Sequence, residues 1–423
     1  MTNRDVVPNP EDLLFTPFLR RRKVEVLDRP GKVLFSKLKE LWKDHDLSEQ
    51  RIAITIGSRG ISNRVELIRA VVDLLKEKGA KPFALNAMGS HGGASADGQM
   101  KVMNGLGFTE ESLGCPLECS MDVVEIDEEG EGPVTDKLAL NTDGVVVFNR
   151  IKPHTSFSGN HESGLVKMLV VGLGKAEGAR RIHRLGPTGL RDTMPIWGKK
   201  ILSKLNVIGA IGVVENPLDQ VMSVEVSGGD GLMDLDANLL KIARPQLPSL
   251  PVDKTDVLLI DQMGKDISGT GMDTNVIGRL LIHGLDEPDS PKIGRIVVHN
   301  LTDASGGNGT GVGLADVVGP RIAEKYNRDI TQKNVLTTGF IQRAKLPFTA
   351  QNDREALSIA LASLHGVSSP SILRIQDTLH LDHFWAHGPI VNELIQIAGV
   401  EMAGDPASIY ESNEQLSPFF VAG

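Results

Sequence analysis

The sequence predicts an α/β protein of two domains. Three observations carry this: short β-branched runs alternate with helical periodicity, glycines punctuate the ends of the runs, and one proline-rich stretch interrupts the pattern past the middle. A chain of 423 residues also exceeds what a single core usually fills.

The elements follow in order. RIAITIG (51–57) is a β-branched run ending at a glycine, as a buried parallel strand reads. From Asn63 to Gly79 the apolar residues Val65, Leu67, Ile68, Val71, Val72, Leu74 and Leu75 keep helical spacing, and Gly79 suits the position just past the helix end. KPFALNAMG (81–89) predicts the next strand and Ser95 to Leu106 the next helix. GVVVFNR (144–150) and NVIGAIGVV (206–214) predict two more strands. ARPQLPSLPVDK (243–254), with three prolines, is the expected linker. Beyond it DVLLID (256–261), RIVVHN (295–300) and SILRIQD (371–377) resume the strand pattern. The expected domains are therefore 1–248 and 249–423, with the active site in the cleft between them, because loops at the carboxyl ends of parallel strands collect function.

Composition narrows the class. Hydrophobic residues make up 40% and charged residues 23%, an ordinary soluble balance. No apolar run approaches the ~18 residues a membrane span needs. A net charge of −9 without a basic cluster argues against nucleic acid. The N-terminus, MTNRDVVPNPEDLLF, carries acidic residues and prolines where a signal peptide has its apolar region, so a cytoplasmic protein is expected. Cys115 and Cys119 are too few for a disulfide framework and lack the second pair a structural zinc requires.

Three histidines stand at expected strand ends: His91 in NAMGSHGG, His154 in NRIKPHTSFSG and His183 at the end of GLVKMLVVGLGKAEGARRIH. Each alone reads by default as a surface or capping residue, but strand-end loops of one sheet converge. Imidazoles titrate near neutrality and exchange acid and base roles, and a neutral one ligates late first-row metals. Lys167 and Lys175 are candidate nucleophiles if deprotonated. On residue types alone, a metal-dependent hydro-lyase, a Schiff-base aldolase or a non-enzymatic carrier fits as well.

GSRG after the first strand, MGSHGG after the second, the segment from NRIKPHT to RRIH, and DQMGKDISGTGMD resemble, in that order, the nickel-dependent lactate racemase family. The resemblance covers the chain from about residue 50 onward and marks a diverged member. It implies a racemase or epimerase of 2-hydroxy acids, working by proton-coupled hydride transfer to a nickel-pincer nucleotide (pyridinium-3-thioamide-5-thiocarboxylic acid mononucleotide). That cofactor would be bound at Lys167, with nickel on His183 sixteen positions later. It implies His91 and His154 as the proton-transfer pair, Arg59 as a cofactor- and substrate-binding arginine, and Gln262 and Lys265 as substrate contacts. It makes 1–248 the cofactor-binding and catalytic domain, and the partners a small-molecule 2-hydroxy acid and cofactor-synthesis proteins.

The sequence departs from the family pattern in places. SGLVK has one glycine where two are expected, GSRG lacks the acidic residue before the arginine, and the interval from His154 to Lys167 is longer and contains His161. His161 thus competes with His154 as second base. Three further features have structural readings beside functional ones. GGNGTGVG (306–313) is a close-packing loop or a phosphate loop, Asp273 a helix cap or a ligand contact, and HLDHFWAH a packing segment or a metal cluster of His380, His383 and His387.

Overall fold

The computed structural model describes residues 8–58, 60–127, 130–336 and 339–419. The chain divides into two compact units, Val24–Leu247 and Met1–Lys23 with Pro248–Gly423. Strand β1 (Thr16–Arg20) belongs to the latter.

In Val24–Leu247 the strands are β2 (Arg51–Ile56), β3 (Lys81–Asn86), β4 (Leu117–Glu118), β5 (Val123–Glu125), β6 (Val134–Asp136), β7 (Gly144–Arg150), β8 (Val207–Glu215) and β9 (Val221–Ser227). Six form a sheet in the order β4-β3-β2-β7-β8-β9, parallel but for β9, while β5 and β6 pair apart. Alternation along the strands gives two apolar faces. Ile52, Ile54, Val146 and Phe148 pack with Leu34, Leu67 and Val71 of the helices Pro30–Leu41 and Arg64–Glu77. Ala53, Val145 and Val147 pack with Leu165, Leu169, Trp197 and Leu239 on the other side. Burial on both faces explains why these strands read as unbroken apolar runs. The helix begun at Arg64 stops before Gly79, whose φ of 78 is left-handed.

The order has one consequence for function. From β2 the chain adds β3 and β4 on one side and then returns with β7 on the other. The loops after β2 and β7 therefore diverge and leave a crevice at their carboxyl ends.

The second unit repeats the plan with β10 (Lys254–Met263), β11 (Lys292–Leu301), β12 (Val317–Val318), β13 (Phe348–Thr349), β14 (Ile372–Ile375), β15 (His383–His387) and β16 (Val400–Met402). Its sheet runs β13-β12-β11-β10-β14-β15-β1-β16, so the reversal falls between β10 and β14. Residues 8–23 correct the expected N-terminal domain. β1 lies between β15 and β16, with Phe18 stacked on Phe384 at 5.5 Å. A pairing more than 360 positions distant in sequence leaves no local pattern to read. Among the described residues no helix is long and apolar enough to cross a membrane.

Candidate active site

Beside the crevice between β2 and β7 lies the segment that carries Lys167, and His91 and His154 follow the neighbouring strands β3 and β7. The chain from Gly164 to Gly174 lies across the strand ends. The Asn149 side chain, at the end of β7, donates to Gly164 O at 2.8 Å. A Cβ on Gly57, just past β2, would stand 3.1 Å from Met168 Cε. Gly89, past β3, donates its amide to Gly172 O at 3.4 Å, and its φ of 60 with Val171 at 3.2 Å from a would-be Cβ leaves room for glycine alone.

Lys167 sits on this crossing segment and His183 on the helix that follows it. A short helix, Leu165–Lys167, widens into a π-helical turn, Met168–Gly172, before the helix Lys175–Arg184. Such turns recur at functional sites because they redirect side chains without ending the helix. Lys167 is half-buried. His183 is exposed on its helix, with enough protein beside its ring to desolvate it. Burial first, and the Lys167 charge second, push its imidazole down to about 4. At neutral pH the ring is therefore uncharged and able to ligate a metal.

His91 opens a glycine turn after β3. Its amide donates to Met88 O at 3.2 Å, and its own carbonyl accepts from Ala94 N at 3.2 Å and from Gln99 Nε2 at 3.1 Å. The imidazole is on the exposed side of the turn.

His154 lies in a loop closed by a bridge between Lys152 and Ser163. Buried Glu162 organises the loop, accepting from His154 N at 2.6 Å and Gly159 N at 2.8 Å and pairing with Arg244 at 2.7 Å. The Ser156 amide donates to His154 Nδ1 at 3.1 Å, and Phe157 packs on the ring at 4.5 Å. With Nδ1 accepting, the neutral ring carries its proton on Nε2. His161 has the opposite arrangement: Nδ1 donates to the buried Asp236 carboxylate at 2.9 Å. The other oxygen of Asp236 accepts from Leu165 N, at the start of the Lys167 helix.

Lys175 is fully buried against Asp136 at 2.6 Å. Burial pushes its ammonium below the ordinary lysine range while the Asp136 charge opposes that shift. A side chain so enclosed is not available for covalent attachment. Arg59 lies outside the described residues.

In the second unit Gln262 and Lys265 stand at the β10–β14 reversal. Gln262 N donates to Gln376 O at 3.0 Å, Lys265 N to Ser305 Oγ at 2.9 Å, and Lys265 Nζ to Gly269 O at 2.6 Å. Asp273 caps the turn Thr274–Ile277 through Asn275 N at 2.9 Å. The 306–313 loop is close-packed: a Cβ on Gly311 would meet Thr270 O at 1.7 Å and one on Gly313 would meet Gln342 O at 2.1 Å. HLDHFWAH is not a helix. His383 and His387 are the two ends of β15, and His380 turns to Asp377 at 2.9 Å, so the three do not converge.

Among solved structures the chain is similar to the lactate racemase apoprotein from Thermoanaerobacterium thermosaccharolyticum. The TM-score is 0.53 at 14% identity, over 87% of this chain and 99% of that one. The fold is that of a lactate racemase. No family model and no curated protein sequence matches the chain.

Within this racemase fold, sequence reasoning missed the second layer: Glu162, Asp236 and the Asp136–Lys175 pair. Asp236 is the second of two acidic residues in LMDLDANLL, and an acidic residue on such a helix reads as solvent-facing. Only Lys175 gave a signal, as a rival to Lys167.

Proposed function

We propose that the protein racemises or epimerises 2-hydroxy acids with a nickel-pincer nucleotide attached at Lys167 and nickel ligated by His183. One observation supports this above all. In a lactate racemase fold, Lys167 lies on the segment across the β2–β7 crevice and His183 on the helix that continues it, close enough that the lysine's charge acts on the imidazole. The residues suit such a group. His183 is kept neutral, as a ligand must be. Among the described residues no three His, Cys, Asp or Glu side chains gather to hold a metal by themselves, so a single imidazole would need donors from a cofactor.

When bound, the cofactor supplies a hydride acceptor for the α-carbon. The chain's own residues would do the rest. His91, as a neutral imidazole, would accept the hydroxyl proton of one enantiomer, and His154, as an imidazolium, would give a proton to the keto oxygen that results. The two exchange roles with the direction of reaction. Glu162 and Asp236 fix the His154 loop and the Lys167 helix without touching substrate. The family resemblance assigns Arg59, Gln262 and Lys265 to the substrate, and charged donors such as arginine and lysine suit a carboxylate. The protein would act in the cytoplasm, loaded by cofactor-synthesis proteins.

The test is a screen of enantiopure 2-hydroxy acids against protein made in cells that synthesise the cofactor. Loss of optical purity in at least one, absent from cofactor-free protein, is expected. Loaded protein inactive on every acid would point to a carrier. Full activity without nickel would point to a hydro-lyase or aldolase.

A further inference from the structure

Lys175 combines two unusual properties. It is fully buried, and its backbone is left-handed at φ 54, a strained state for a residue with a Cβ. Desolvating a lysine beside a carboxylate rarely gains stability over apolar packing, so stability does not account for it. Its Nζ stands 2.6 Å from Asp136 Oδ2 and donates to Asn86 Oδ1 at 2.9 Å and to Asn86 O.

From there the polar contacts continue. Asn86, the last residue of β3, donates its side-chain amide to Gln99 Oε1 and to Ser120 O at 3.0 Å. Gln99, fully buried on the helix Ala96–Gly105, donates to Gly89 O at 2.9 Å and to His91 O at 3.1 Å. Both amide hydrogens and the oxygen of Gln99 are engaged, and a fully satisfied buried network is rigid. One end of the chain of contacts is the His91 turn. The other is the first residue of the helix that carries His183.

We propose that Lys175, Asn86 and Gln99 are positioning residues that tie the His91 turn to the His183 helix within the Val24–Leu247 unit. The proton-transfer histidine is thereby held in register with the metal ligand. The catalytic consequence rests on the racemase reading; the mechanical coupling stands apart from it.

The test compares wild type, Gln99→Leu, Lys175→Met and Lys175→Arg as full chains, made with and without cofactor synthesis. Hydrogen exchange in cofactor-free protein is the first readout. Gln99→Leu is expected to speed exchange at the His91 and Ala94 amides by about tenfold or more, with β2 amides changed less than about twofold. Lys175→Met is expected to loosen the same turn together with the first turn of the His183 helix, and Lys175→Arg to restore both. In loaded protein, Gln99→Leu is expected to lower kcat about tenfold with KM and nickel content held, the size of effect a small misplacement produces.

Exchange that rises evenly across the unit, or not at all in the His91 turn, would overturn the proposal. So would a loosened turn with unchanged kcat. If Lys175→Met fails to fold, Gln99→Leu and Lys175→Arg decide alone. If loaded wild type interconverts no hydroxy acid, the racemase reading has failed, and the exchange pattern still decides the coupling.

Discussion

The two units answer the same topological opportunity in different ways. Each is a largely parallel sheet whose strand order reverses once, at β2–β7 in one and β10–β14 in the other, and each places polar loops at the carboxyl ends beside the reversal. At β10–β14 the polar groups pair with one another: Thr302 donates to Asp266, Ser305 accepts from Lys265 N, Thr378 accepts from Asp273 N, and the fully buried Arg374 of β14 pairs with Asp261 of β10 at 2.7 Å. At β2–β7 the chain lays its own helical segment over the strand ends, buries Glu162, Lys175 and Asp236 beneath it, and holds a neutral histidine in place. A topological reversal supplies a place for ligands. Buried charge occurs at both reversals, so what sets β2–β7 apart is the helical segment laid over its strand ends.

That contrast can be broken at several points. The largest effect concerns the integrity of the second unit. Phe18→Ala is expected to cost about 3–5 kcal/mol, as truncation of a buried aromatic does. Calorimetry should show the loss in the transition of that unit while the transition of the Val24–Leu247 unit keeps its midpoint. Equal loss in both transitions would contradict independent cores.

Next come the proton-transfer residues. His91→Ala and His154→Ala should each lower turnover by about 10²-fold or more while retaining nickel, as measured by steady-state kinetics and metal analysis. Lys265→Ala, in the second unit, should instead raise KM by about tenfold and leave the Lys167 adduct intact, since it loses one charge-assisted contact. His161→Asn should lower turnover only about fivefold, because His161 acts through Asp236. A His161 variant as inactive as the His154 variant would reverse their roles.

The smallest effect is on titration. In cofactor-free protein the His183 ring should stay neutral until about pH 4, followed by its nitrogen chemical shifts. Its folded value lies below the ordinary 6.5, so the unfolded chain takes up the proton first. The fold therefore loses stability through this group as pH falls from 6.5 towards 4, and loses none above 6.5. A midpoint near 6.5 would place the ring in open solvent.

Much of this was legible because it is written in local pattern. Ile52, Ile54 and Ile56 announce a buried strand, Gly79 ends a helix, and glycines beside His91 mark a tight turn at a strand end. The proline-rich stretch holds the change of unit between Leu247 and Pro248. What stayed hidden depends on distant pairing. β1 finds β15 across the length of the chain, and Asp136, Asp236 and Glu162 became visible only when folding buried them beside Lys175, His161 and His154. Of the two readings of HLDHFWAH, the packing segment is the one the structure has: His383 and His387 stand at the two ends of a strand, too far apart to share a metal.

The central claim is that Lys167 carries the cofactor and His183 its nickel. Peptide mapping by mass spectrometry, on protein made with and without cofactor synthesis, tests it most directly when nickel is measured on the same samples. The account predicts an adduct on the Lys167 peptide only in the loaded protein, with nickel near one per chain that His183→Ala abolishes while the adduct remains. An adduct on Lys175, or nickel retained in full by His183→Ala, would contradict it.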